Sequence, residues 1–246
     1  MTERMGVAGE TLSDAAPSRA GAAVGEVVDA LELEIVLGRL RPQVRLVEDE
    51  LMLRFGAKRH VIRSALDALV AGGLVERRPH RGALVREYQA DEVRELYAFR
   101  ADLYRLAVAA MPLPFAPEVI AGLAAECTAH ESAIAEGDLA AVIRHNDAFH
   151  HLFFAECGNR FVVEAVRRVD SASRAIRSYR VGDPVRLNQA AREHRELIAV
   201  AAEGDRARLA ELAVRHILPS LHLYLDDRAV LDERVVPEGR AEVDEE

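Results

Sequence analysis

Three histidines fall where they could act together. His150 follows Phe149 and lies one helical turn after Asn146, so Asn146 and His150 share a helix face. His194 falls on the stripe of Ile198 and Ala201, and His216 lies one turn from Leu212, which turns both rings toward a core. Three imidazoles arriving from separate helices suit Zn2+, with Ni2+ or a similar divalent ion as alternatives, and Asn146 could complete a four-donor set. Spacing alone equally allows buried histidines each hydrogen-bonded to a neighbour, and with nine histidines in the chain some reach apolar faces by chance. Asp147, the other candidate for the fourth position, shares a face with His151 instead. Neutral donors leave the +2 charge of an ion uncompensated, so such a site should draw a small carboxylate into an open coordination position. Arg100, Arg144 and Arg177 are the candidate second contacts for that acid.

A different chemistry lies upstream. The chain of 246 residues has a net charge of −9, which by itself argues against a polyanionic partner. Between Arg54 and Arg86, however, eight basic side chains face only Asp67 and Glu76. A basic block inside an acidic protein attracts polyanions locally while the rest repels them. Arg59 and Arg63 sit four apart, so they project side by side from a helix, and a guanidinium can hold guanine O6/N7 or a phosphate with two bonds.

Elements must position these groups. Val28, Leu31 and Ile35 mark a helix over 26–37 that ends at Gly38. A short helix over 48–55 stops at Gly56, and a third over 58–70 buries Ile62, Ala65, Leu66 and Leu69 while showing Arg59, His60 and Arg63 outside. A β-hairpin follows, 74–78 with 83–86, turning at Pro79-His80-Arg81-Gly82. Two helices about a glycine turn plus a basic hairpin describe a winged helix-turn-helix. Its candidate DNA contacts are Arg45, Lys58, Arg59, His60, Arg63, His80, Arg81 and Gly82. Downstream, Gly and Pro breaks divide a helical region into six helices: 91–110, 116–135, 138–156, 160–179, 185–203 and 205–226.

The predicted organisation is therefore a disordered tail over 1–24, a DNA-binding domain over 25–88, an all-helical domain over 91–228 and an acidic tail over 229–246. The fold class is mostly α, with a small β-hairpin wing. Half the residues are apolar and 30% are charged, a globular balance that excludes a largely disordered chain. No apolar run nears the ~20 residues needed to cross a bilayer. The N-terminus lacks a secretory layout, and Cys127 and Cys157 form no CxxC. A cytoplasmic protein without membrane contact is expected.

From Gly38-Arg39-Leu40-Arg41-Pro42 through Leu46, Glu50-Leu51, Phe55-Gly56, Arg59, Arg63, Ala65-Leu66 and Leu69 to Gly73-Leu74-Val75 and Arg81-Gly82, the sequence resembles the winged-helix domain of GntR-type transcriptional regulators. It departs in Lys58, where the family carries a helix-capping Ser worth ~1 kcal/mol. Asp49 stands where members often carry a basic DNA-contacting residue, so a different operator is implied. Residues 91–226 resemble the FCD effector domain of the FadR-like branch, in its six-helix, VanR-like variant. Asn146-Asp147-Ala148-Phe149-His150, Gly158-Asn159, Glu193-His194 and Arg215-His216 carry that likeness. It implies a divalent metal held by Asn146, His150, His194 and His216. The Glu of the family's Arg-x-x-Leu-Glu is absent after Arg100.

The expected function is a metabolite-responsive DNA-binding regulator, a repressor, working as a homodimer on a palindromic double-stranded operator. Its helical domain would bind a divalent metal and a small carboxylate. The alternatives are a metal-dependent hydrolase using the three histidines and a direct metal sensor. No His-Glu-x-x-His motif supports the hydrolase, and Glu193 points about 100° from His194 on a helix.

Overall fold

The computed structural model describes residues 19–181 and 183–235. The first unit opens with α1 (Arg19–Val36), followed by the two-residue strand β1 (Arg45–Leu46), α2 (Glu48–Phe55) and α3 (Arg59–Ala71). It closes with β2 (Val75–Arg78) and β3 (Gly82–Val85). Gly56 ends α2 in the left-handed region at φ 58°, and its N–H bonds to the Met52 carbonyl. Lys58 precedes α3 without any side-chain cap, as its replacement of Ser implies. Val61, Ile62, Ala65, Leu66 and Leu69 bury one face of α3 against Leu31, Ile35, Leu74 and Val85, leaving the polar face outside. The strands pair antiparallel in the order β1-β3-β2, with Val75 opposite Val85 and Arg45 opposite Leu84.

The second unit comprises α4 (Ala90–Ala110), α5 (Pro117–Glu136), α6 (Leu139–Ala155), α7 (Arg160–Ala172), α8 (Arg174–Val181), α9 (Pro184–Glu203) and α10 (Arg206–Val235). Local chemistry fixes the starts. Gln89 and Glu92 form a capping box on α4, and Asp138, Asn159 and Asp183 accept backbone N–H bonds at the heads of α6, α7 and α9. A separate apolar core built on Tyr97, Tyr104, Phe149, Phe153 and Leu209 holds the bundle.

The structure corrects several expected boundaries. The helix expected over 160–179 is interrupted at Ser173, so the bundle has seven helical segments where six were expected among the described residues. The buried Ser173 hydroxyl donates to the Asp170 carbonyl at 2.9 Å, a local bond that competes with the helical ladder. Helix α1 begins at Arg19, inside the segment expected to be a loose tail, and α10 runs on to Val235, inside the expected acidic tail. The rest of those two tails, 1–18 and 236–246, lies outside the described residues.

The two units are joined by packed polar contacts. Tyr88 Oη donates to the Gly73 carbonyl at 2.9 Å, and Tyr224 Oη donates to the Tyr88 carbonyl at 2.8 Å. Ala175 packs against both cores. No helix among the described residues is long and apolar enough to cross a membrane.

Candidate nucleic-acid face and metal chamber

The outer face of α3 carries the charge the sequence assigns to it. Arg45, Lys58, Arg59, His60, Arg63, His80, Arg81 and Gly82 are all exposed, spread over β1, α3 and the wing tip. His80 and Gly82 adopt φ 62° and 76°, a left-handed pair that closes the turn. Sequence reasoning missed that Glu48 and Asp49 of α2 oppose two of these bases. Arg59 Nη2 lies 2.6 Å from Asp49 Oδ1, and Arg63 Nε lies 2.9 Å from Glu48 Oε2. Arg77 pairs with Asp67 and Arg78 with Glu76, both at 2.7 Å. Glu48, Asp49 and Glu50 crowd the first turn of α2, where the helix dipole favours negative charge.

In the bundle, His150 on α6, His194 on α9 and His216 on α10 converge. One ring nitrogen from each lies within 4.8 Å of the others, and all three residues are buried. His150 Nε2 and His216 Nε2 are 3.3 Å apart, and His194 stacks on Phe149 with centroids 4.1 Å apart. Burial, helped by His216 and His194, holds His150 well below the ordinary imidazole range, so its ring is neutral and keeps a lone pair. Glu193 Oε2 lies 2.6 Å from His216 Nδ1 and fixes that ring from behind. The residues present therefore fit a divalent ion of the zinc class: neutral imidazoles, close nitrogens and an outer carboxylate.

A cavity opens beside the triad. Asn146 and Asp147 line it from α6, Arg100 from α4, and Arg174 and Arg177 from α8. Val36 of α1 also contributes to its wall. Arg144, expected among the acid contacts, is exposed and lies outside this lining, because it is two residues before Asn146 and on the far side of α6. Asp147 makes ion pairs with Arg174 at 2.9 Å and Arg177 at 3.2 Å. Burial raises the Asp147 pKa, but the two arginines outweigh it and hold the carboxyl below its usual value. Arg100 is fully buried, with Nε donating to Asp170 Oδ1 at 2.8 Å and Nη2 to Tyr104 Oη at 2.7 Å. Tyr104 stands at the position of the absent family Glu, and Asp170 of α7 supplies the missing charge.

Three residues of this chamber escaped the sequence reading, Asp170, Arg174 and His130, while Glu193 is legible there only as pointing away from His194 and not as a partner of His216. His130 had a signal, since Leu123, Cys127 and His130 recur on one stripe of α5. Its buried ring lies 5.4 Å from that of His194, and burial, with His216 adding, lowers its pKa to about 4. Asp170 had none, because its partners lie on another helix.

Comparison with known proteins bears on both halves. Residues 23–85 match the bacterial regulatory proteins of the gntR family, and residues 95–218 match the FCD domain. The chain is 28% identical over 189 residues to the uncharacterized HTH-type transcriptional regulator YdhC of Bacillus subtilis (strain 168), covering 76% of this chain and 83% of that protein. It is 28% identical over 204 residues to a protein of Paenarthrobacter nicotinovorans described as a probable D-xylose utilization operon transcriptional repressor, covering 78% and 83%. Among solved structures, a target from Rhodococcus sp. RHA1 described as a GntR regulator aligns at TM-score 0.63 and 21% identity over 88% of this chain and all of that one. E. coli McbR/YncC aligns at 0.63 and 19% over 86% and 98%. The matched domains and curated relatives are those of transcriptional regulators, not enzymes.

Proposed function

Because the chain belongs to the FCD-domain regulators of the bacterial gntR family, we propose that it is a cytoplasmic transcriptional repressor whose helical chamber holds a divalent metal and a small carboxylate effector. The observation that carries this reading is the convergence of His150, His194 and His216 beside a cavity lined by Arg100 and Arg177. Those imidazoles, with Asn146, would hold the ion; Asp147 is already engaged by two arginines and is the poorer fourth donor. When bound, a Zn2+-like ion supplies a positive centre for an acid. Arg100 and Arg177 orient the remainder of that acid. The repressor assignment is supported by the description of the Paenarthrobacter relative.

One recognition helix reads a short half-site, so the working form is a homodimer on a palindrome, with α3 helices about 34 Å apart. The exposed Phe99, Leu106 and Phe161 provide apolar surface for a second copy. Effector and DNA must favour different arrangements of the two units, since a ligand with equal affinity for both shifts nothing.

The test uses duplexes selected from a random pool. Operator affinity is measured for Zn2+-loaded and chelator-treated protein against a panel of small carboxylic acids. An acid that changes affinity only when metal is present supports the reading. No metal uptake by equilibrium dialysis, or no acid with any effect, overturns it.

A further inference from the structure

Arg174 touches both units of the chain. Its Nη1 holds the carboxylate of Glu32 on α1, and its Nη2 lies 2.9 Å from Asp147 Oδ2 on α6. One turn on, Arg177 Nη2 reaches the other Asp147 oxygen at 3.2 Å. The same nitrogen lies 3.3 Å from the Asp170 carbonyl, and the Asp170 carboxylate holds Arg100. A line of alternating charge thus runs from the DNA-binding unit into the chamber. Glu32 and Val36 are four apart on α1, so the face that meets Arg174 is the one that walls the cavity. Arg174 Nε and Arg177 Nε are buried without a hydrogen-bond partner.

We propose that Arg174 is the positioning residue that couples the chamber to the DNA-binding unit: an anion seated on Arg174 and Arg177 displaces Glu32 and loosens α1 from α8. The inference rests on the carboxylate-effector reading above. Three arginines, Arg100, Arg174 and Arg177, face three carboxylates, Glu32, Asp147 and Asp170, across this region. Both Arg174 Nη groups already hold a carboxylate, so an acid that grips this guanidinium with two oxygens must take one Nη from Glu32 or Asp147 and return that carboxylate to water. Glu32 is the candidate to leave. Among the described residues Glu32 is held there by Arg174 alone, whereas Asp147 is held by both Arg174 and Arg177. The unpartnered Nε groups give the incoming acid donors that Asp147 and Glu32 do not occupy.

The experiment uses the full Zn2+-loaded chain and its E32Q, E32D and R174K variants, with succinate as probe. Titration calorimetry reads succinate affinity, and amide hydrogen exchange reads α1 and α8. Succinate should speed exchange in wild-type α1. E32Q should bind succinate at least about fivefold more tightly, with α1 exchange already raised and insensitive to succinate. E32D should behave as wild type, and R174K, which lacks the two-sided fork, should resemble E32Q in exchange. Wild-type succinate binding that E32Q leaves unchanged overturns the coupling and spares the effector reading. If succinate binds no variant, the effector reading fails. The coupling is then decided by exchange alone, and equal α1 rates in wild type and E32Q overturn it.

Discussion

The carboxylate of Glu193 lies 2.6 Å from His216 Nδ1, while His216 Nε2 lies 3.3 Å from His150 Nε2. One nitrogen of the imidazole is therefore anchored outward and the other is aimed at the triad. Glu193→Gln should lower divalent-metal affinity by about 10- to 100-fold while leaving the fold intact. Competition with a chromogenic chelator measures this, and an unchanged affinity would show that the carboxylate is a bystander.

Asp49 and Glu48 hold Arg59 and Arg63, so if these arginines are the DNA contacts proposed for α3, the two acids compete with a duplex for them. Both arginines are about half exposed, so these pairs contribute little to stability, but they must open before the guanidinium groups can reach a duplex. A D49N/E48Q variant should bind random-sequence DNA more tightly. Its log–log salt slope should steepen by about 0.9 for each further phosphate neutralised. Fluorescence anisotropy over a salt series reads both quantities, and an unchanged slope would dismiss the competition.

Gly73 is a point where the two units meet in a constrained geometry. Its φ is +75°, and an added Cβ would lie 2.7 Å from Tyr88 Oη and 3.4 Å from Ala172. Gly73→Ala should cost about 1–3 kcal/mol, more than Tyr88→Phe, which loses only the bond to the Gly73 carbonyl at about 1 kcal/mol. Urea unfolding ranks the two. A Gly73→Ala protein as stable as wild type would contradict the packing described.

Acid should weaken metal-free protein in a defined window. Burial lowers the His130 pKa from 6.5 to about 4, so between these values the unfolded chain binds a proton that the folded ring refuses. Stability therefore rises with pH from about 4 to about 6.5 and then levels, by on the order of 3 kcal/mol from His130. His150 acts in the same sense. Urea midpoints at pH 5 and pH 7 in chelator should differ less in His130→Asn than in wild type. Equal differences would remove His130 from the account.

The parts of the molecule legible in the sequence are those encoded on a single element. Apolar spacing marks α3, and Gly56 marks the end of α2, because each signal is local. His150, His194 and His216 were visible as histidines on buried stripes. What escaped depends on partners in other elements. Strand β1 has two residues and exists through pairing with β3. Glu193 does point away from His194 along α9, yet the direction it takes leads to His216 on α10, a meeting that a single helix cannot reveal. Arg144 is the exception, because its two-residue offset from Asn146 already places it on the far side of α6, where it is exposed. At the Ser173 interruption the Asp170 carbonyl takes the Ser173 hydroxyl and the Arg177 guanidinium, bonds that no periodicity encodes.

That hydroxyl has a consequence for how such a protein could lose its responsiveness. Alanine at 173 would remove one of the two side-chain bonds that occupy the Asp170 carbonyl at the α7–α8 break, and a break that closed would turn Arg174 from the direction that meets Glu32. Under the coupling proposed above, the bundle and the reading head would both survive, but news from one would no longer reach the other, leaving a constitutive binder.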